Sequence, residues 1–431
     1  YNSCRYPHSP IPSQTFNHSG NIKMNFSCPT VGKNRLSMAA SSCGRLPLHH
    51  TAVTCYGIFL SLLTLPCIAS GCFNSLISFG DSLSDTGNAI RLFPPDKLPN
   101  FGFPPFGRTF FHRPTGRCSD GRLIIDFIAE SLGLPLVPPY VAGADVRRRE
   151  FGEGVNFAVV GATALNVSFF RERGISYGFT NVSLDIELQW FKKMLASSCQ
   201  RSSEYCKEFL RSSLIIMGEI GGNDYYNALT DGRSVEEIKT FVPTVVDCIG
   251  SAINELIELG AVTLVVPGYP AVGCIPAFLE MFHQASDSTE YDSFGCIKSM
   301  NELSKYHNNL LQIQLSQLRE NHPRANIIFA DYYNAMIGFY RFPNKFGFRN
   351  TSVLEACCGD GGLYNYNPKV PCGEHPSTCC DDPSLYVSWD GLHLTEAAYR
   401  WIARAILDGP FANPSINTVC NSQSVGGFFV S

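Results

Sequence analysis

Short apolar runs alternate along this chain with longer segments in which apolar residues recur at helical spacing. The runs Leu76 to Phe79, Val155 to Val160, Ser213 to Ile220, Val262 to Val266 and Asn326 to Ala330 are predicted strands. They lack a polar alternation, which is the pattern of strands covered on both faces. Helical spacing predicts helices from just after Ser119 and Asp120 to near Leu132, and over Ser183 to Leu195, Val235 to Leu259, Met300 to Arg319, Tyr333 to Asn344 and Thr395 to Leu407. Strands alternating with helices make an α/β fold, a three-layer α/β/α sandwich with a mostly parallel sheet, and no linker or repeat divides it. Sites in such sheets gather at the carboxyl ends of strands. The breaks Gly80 to Ser82, Gly161, Gly222 to Asp224 and Pro267 to Gly268 fall at four such ends.

Composition adds bounds. The 431 residues are 45% hydrophobic and 16% charged with a formal net charge of -4, enough for a large core and without the basic excess that nucleic-acid binding needs. Residues 1–37 have no sustained period and are expected to be a non-structural leader. Residues 38–71 follow the layout of a signal peptide: Met38, a weakly basic segment with Arg45, the apolar stretch Gly57 to Leu65, and small residues at Ala69, Ser70 and Gly71. A membrane anchor is the competing reading, but the apolar stretch falls short of the ~20 residues a span requires. The expectation is a single mature domain over 72–431, secreted to the apoplast or cell wall or routed to the vacuole.

Of 18 cysteines, six lie at or before the cleavage region, Cys72 among them, and twelve lie between Cys118 and Cys420. In an exported chain these suggest disulfides of undetermined connectivity. The cluster Cys357, Cys358, Cys372, Cys379 and Cys380 has zinc as its alternative, although adjacent cysteines in an oxidising compartment do not suit zinc. Sequons at Asn166, Asn181 and Asn350 are expected to carry N-glycans.

Candidate chemistry begins at FGDSLSDTGN, Phe79 to Asn88, where a turn after a strand can expose the hydroxyl of Ser82. Taken alone, the stretch reads as a capped strand-to-helix junction. A serine needs a base, and of the histidines in the body His393 stands out in WDGLHLT, with Asp390 three residues upstream to orient it. Capping roles for Asp390 and Thr395 are the alternative. Asn223, Gly161 and the backbone N–H of Ser82 are candidate donors to an oxyanion. No GxGxxG follows a predicted strand, which argues against a flavin or nicotinamide enzyme.

The ordered set GDS (Gly80 to Ser82), GVNFAVVGAT (Gly154 to Thr163), GGND (Gly221 to Asp224) and DGLH (Asp390 to His393) resembles the plant GDSL esterase/lipase family of the SGNH hydrolase superfamily, as does PTGRCSDGRLIIDFIAE from Pro114. The resemblance spans about Leu76 to Leu407. It implies a flavodoxin-like sandwich and a serine carboxylic-ester hydrolase with Ser82 as nucleophile, His393 as base and acid, Asp390 as orienting acid, and Gly161 and Asn223 as oxyanion donors. Gly154 is the second choice for the glycine. Neither a metal nor an organic cofactor is implied. The expected substrates are small acyl esters of plant metabolites or lipids, with an acyltransferase or a non-catalytic glycoprotein as alternatives. Phe101, Phe103, Phe106, Phe110 and Phe111 are candidates to line a substrate pocket, or else to form loop core.

Overall fold

The computed structural model describes residues 72–142, 154–198, 203–283 and 290–420. The expected leader and signal segments lie outside the described residues. Strands β1 (Ser75–Ser78), β2 (Val155–Asn156), β3 (Ser213–Ile216), β4 (Thr263–Pro267) and β5 (Asn326–Ala330) form a parallel sheet in the order β2-β1-β3-β4-β5. A small antiparallel pair, β6 (Cys358–Gly359) and β7 (Thr378–Cys379), lies apart, and β8 (Ala412–Asn413) adds antiparallel to β5. The row Val155, Ile77, Ile215, Leu264, Ile327 runs across the sheet in register and is buried along its length.

Helices cover both faces, as the unbroken apolar runs require. On one side α2 (Leu184–Ser198), α4 (Val242–Leu259) and α5 (Lys298–Asn321) pack in series; on the other, α1 (Ile124–Ser131), α7 (Glu396–Asp408) and α6 (Tyr332–Arg341) do. This is the mostly parallel α/β/α sandwich expected. α3 (Gly222–Thr230) starts directly after β3.

Two helices are shorter than their periodicity suggests. Val235 to Leu259 divides into Val235–Lys239 and α4, with Pro243 in the first turn of α4. Tyr333 to Asn344 ends at Arg341, where Pro343 opens a new turn. A proline lacks the N–H that would continue a helix and its ring crowds the turn before it, so each helix restarts there. Val235 to Leu259 is also long and apolar enough by composition to cross a membrane. Val242, Val245, Ile249, Ile253 and Leu256 instead spend that apolar face on the core.

Disulfides join Cys72 to Cys420, Cys274 to Cys296, Cys357 to Cys380 and Cys358 to Cys372. Cys72 therefore belongs to the folded body rather than to the cysteines before it. The zinc alternative also fails: Cys358, Cys372 and Cys379 have their sulfurs close together, but all three are disulfide-bonded. The Cys72–Cys420 bond closes a loop of 348 residues. Replacing both cysteines by serine is expected to lower unfolding stability by about 2 to 5 kcal/mol, read by denaturant titration, because the unfolded chain is released from that closure.

Candidate active site

The sheet order reverses between β1 and β3, which makes the crevice beyond their carboxyl ends the place for a site. Ser82 stands there. β1 leaves the sheet at Gly80, whose φ of +124° and close approach to the Glu219 carbonyl leave no room for a side chain. The Asp81 N–H donates to Glu219 O at 2.9 Å, and the Asp81 carboxylate takes the Leu83 N–H at 2.9 Å. Ser82 is thus held in a tight turn at the head of the sheet with 8% of its surface exposed.

The rest of FGDSLSDTGN fixes that turn to the neighbouring segment. Asp85 accepts N–H groups from Gly87, Asn88, Ala89 and Val160 at 2.6 to 3.0 Å. The Asn88 amide donates to the carbonyls of Asn156 and Ala158. This explains why the apolar stretch Val155 to Val160 is a strand only to Asn156. Phe157 N–H still bonds to Ser78 at the end of β1, and the later donors turn to the loop after it, Val159 N–H to Gly80 and Val160 N–H to Asp85.

His393 arrives from the far end of the chain. Its Nε2 lies 2.9 Å from Ser82 Oγ, and its Nδ1 lies 2.7 Å from Asp390 Oδ2. Asp390 Oδ1 accepts the N–H groups of Leu392 and His393, so this carboxylate holds both the ring and its backbone. Thr395 is the cap of α7, its Oγ1 accepting from Ala398 N–H, whereas Asp390 is not a cap. The cysteine-rich segment braces this loop from behind. Cys357 N–H donates to Ser388 O and Cys358 N–H to Trp389 O, and both cysteines are disulfide-bonded.

Burial works against charge on His393, but the adjacent Asp390 carboxylate outweighs it and raises the imidazole well above 6.5. Burial likewise works against charge on Asp390, and here the imidazole and the two N–H groups prevail and hold the carboxyl below its ordinary value. Cys118 is fully buried beside His393; burial raises its thiol, so it is a neutral neighbour.

Gly161 and Asn223 both line the cleft that holds Ser82 and His393. Gly154 does not; it sits at the start of β2 against the Leu76 backbone. Among the described residues, the N–H groups of Ser82 and Gly161 donate to no protein acceptor. The Asn223 amide differs: its Nδ2 lies 2.9 Å from Asp81 Oδ2 and 3.0 Å from Ala162 O, so both hydrogens have partners. An oxyanion would take its bond from Asn223 by sharing one of these. On that arrangement Asn223→Ala is expected to lower kcat about 100- to 1,000-fold, measured with a chromogenic ester.

Two buried carboxyl groups beneath the serine, Glu187 and Glu219, escape the motifs of the sequence. Glu187, from α2, takes the Gly80 N–H at 2.9 Å, and burial raises it well above 4.5. Glu219 pairs with Asp81; burial and the neighbouring carboxylate raise Glu219 well above 4.5, and burial raises Asp81 as well. Glu219 had one legible signal, a lone acid inside the apolar run SLIIMGEI. Of the five phenylalanines, Phe101 alone lines the cleft. Phe106 packs on Trp389, while Phe110 and Phe111 lie under Arg122 and Arg117. Phe179 packs against Phe101 in the same wall, with ring centroids 5.7 Å apart.

The sequence profile of the GDSL-like lipase/acylhydrolase family matches residues 76–406. Two GDSL esterase/lipases of Arabidopsis thaliana are each 50% identical, one over 85% of this chain and 94% of its own length, the other over 82% and 90%. The chain belongs to the GDSL-like lipase/acylhydrolase family. A sinapine esterase of Brassica napus is 48% identical over 81% of this chain and 88% of its own. Among solved structures, phospholipase A1 from Streptomyces albidoflavus NA297 aligns with 81% of this chain at 14% identity and a TM-score of 0.31, too loose a superposition to inform the site. Membership makes this GDSL-family chain a carboxylic-ester hydrolase by class.

Proposed function

We propose that this protein is a secreted serine esterase that acts through Ser82, His393 and Asp390 and an acyl-enzyme intermediate. The observation that carries the proposal is the unbroken chain from Ser82 Oγ through His393 to Asp390, with contacts of 2.9 and 2.7 Å. His393 Nε2 takes the hydroxyl proton as Ser82 Oγ attacks the ester carbonyl, and charge on the carbonyl oxygen is met by the N–H groups of Ser82 and Gly161 and by Asn223. The imidazolium then gives its proton to the leaving alcohol. Water, deprotonated by His393, releases the acid in the second step.

The substrates are small acyl esters of plant metabolites or lipids; since one relative is a sinapine esterase, sinapine belongs among the first to test. Turnover in oxygen-18 water tests hydrolysis directly. The released acid gains one labelled oxygen if water is the acceptor, whereas an acyltransferase passes the acyl group to an added alcohol and forms an unlabelled ester.

Export is the matching proposal for place, to the apoplast or cell wall or the vacuole. It rests on the disulfides and on sequon asparagines Asn166, Asn181 and Asn350, all exposed. Enzymatic deglycosylation of the protein secreted by plant cells is expected to lower its mass by three glycans, and each Asn→Gln change by one.

A further inference from the structure

Two compartments meet at Ser82. The inner one runs under the sheet head toward α6 and has Val272, Ile275, Phe278, Met336 and Ile402 in its wall, beside the Asp81 and Glu219 carboxyl pair. It is narrow, with a cavity volume of about 60 Å³ against about 450 Å³ in the outer cleft. The outer cleft is bordered by Phe101, Phe179, Asn227, Thr230 and Tyr366, a mixed wall with Phe179 40% exposed. Ser82, Asn223, Tyr226, Leu392 and His393 belong to both compartments.

We infer that the inner compartment is the acyl site, selecting apolar acyl groups of limited length, and that the outer cleft receives the alcohol half of the ester. The inference rests on the serine-esterase reading above. The order of bond changes decides which half goes where. Ser82 Oγ bonds to the carbonyl carbon, the ester C–O bond breaks, and the alcohol departs with the proton from His393; the acyl group stays while water takes the alcohol's place. The half that leaves and is replaced by water belongs in the wide compartment, and the half that stays belongs in the narrow one. Solvation agrees: an alkyl or aryl acyl chain gains from the apolar wall, whereas a hydroxyl-rich or charged alcohol would lose its hydrogen bonds to water there.

The test compares two ester series at constant concentration: p-nitrophenyl esters with the acyl chain lengthened from acetate, and acetate esters with the alcohol varied. In the wild-type protein kcat/KM is expected to rise roughly fourfold for each acyl methylene the inner compartment buries, then fall sharply once its length is exceeded. Bulky and polar alcohols are tolerated. Met336→Trp, which fills the compartment, shortens the preferred acyl chain, and Phe278→Ala, which enlarges it, lengthens it. The two shifts oppose each other, so a folding defect common to both variants cannot imitate them, and the wild-type series stands without either. A flat acyl series, or a length limit that responds to Phe179→Ala and not to Met336→Trp or Phe278→Ala, overturns the assignment. Failure of the esterase reading looks different: no ester in either series is hydrolysed, acetate included.

Discussion

Replacing Ser82 by alanine is expected to bring ester turnover to the uncatalysed rate, a fall in kcat on the order of a million-fold, with the unfolding transition unchanged. The two halves of this expectation come from different atoms. The hydroxyl oxygen is the group facing His393 Nε2 and the atom that would bond to the acyl carbon. The turn that presents it is held by other groups: the Asp81 N–H on Glu219 O, the Leu83 N–H on the Asp81 carboxylate, and the four N–H groups on Asp85. Alanine removes the first and leaves the second. Steady-state kinetics with p-nitrophenyl acetate, run beside a thermal melt, measures both.

The second large effect belongs to Asp390→Asn, expected to lower kcat about 10,000-fold while leaving the protein folded. An asparagine can still face Nδ1, but it no longer fixes the tautomer that leaves Nε2 free to accept a proton, nor does it stabilise the imidazolium. The variant carries a pH signature as well. Only neutral His393 can take the serine proton, so kcat/KM falls tenfold per pH unit below the imidazole pKa. Asp390 raises that pKa well above 6.5, and removing its charge moves the acidic limb of the profile to lower pH. The height of the profile falls and its acidic limb shifts downward. A loss of folded protein would lower the height without moving the limb.

The strands of the sheet were legible because fully buried strands leave unbroken apolar runs; Asn326 to Ala330 matches β5 from end to end. Where strands stop was less legible. Phe157 to Val160 is apolar because it is buried, yet the N–H groups of Val159 and Val160 bond to the β1 loop rather than to a sheet ladder, and nothing in residue type separates those two reasons for burial. Helix breaks at Pro243 and Pro343 left a signal in the proline itself, outweighed by the periodicity around it.

At the site, Ser82, Asp390, His393, Gly161 and Asn223 were named from four ordered motifs, and all five line the outer cleft. The residues missed act through neighbours that no motif records. Glu187 reaches Gly80 from a helix more than a hundred positions later, and Phe179 closes the cleft from a loop with no periodicity. The phenylalanine-rich loop shows the converse. Composition marked five rings, and which face of the loop each occupies was decided by partners far along the chain, Trp389 for Phe106 among them.

The most direct measurement is to treat the protein with a fluorophosphonate probe and locate the adduct by peptide mass spectrometry. A nucleophilic Ser82 predicts one adduct per molecule, on the peptide containing Ser82, appearing in step with loss of ester hydrolysis and absent in Ser82→Ala. An adduct on another residue that tracks the loss of activity, or full hydrolysis with Ser82 replaced, would contradict it.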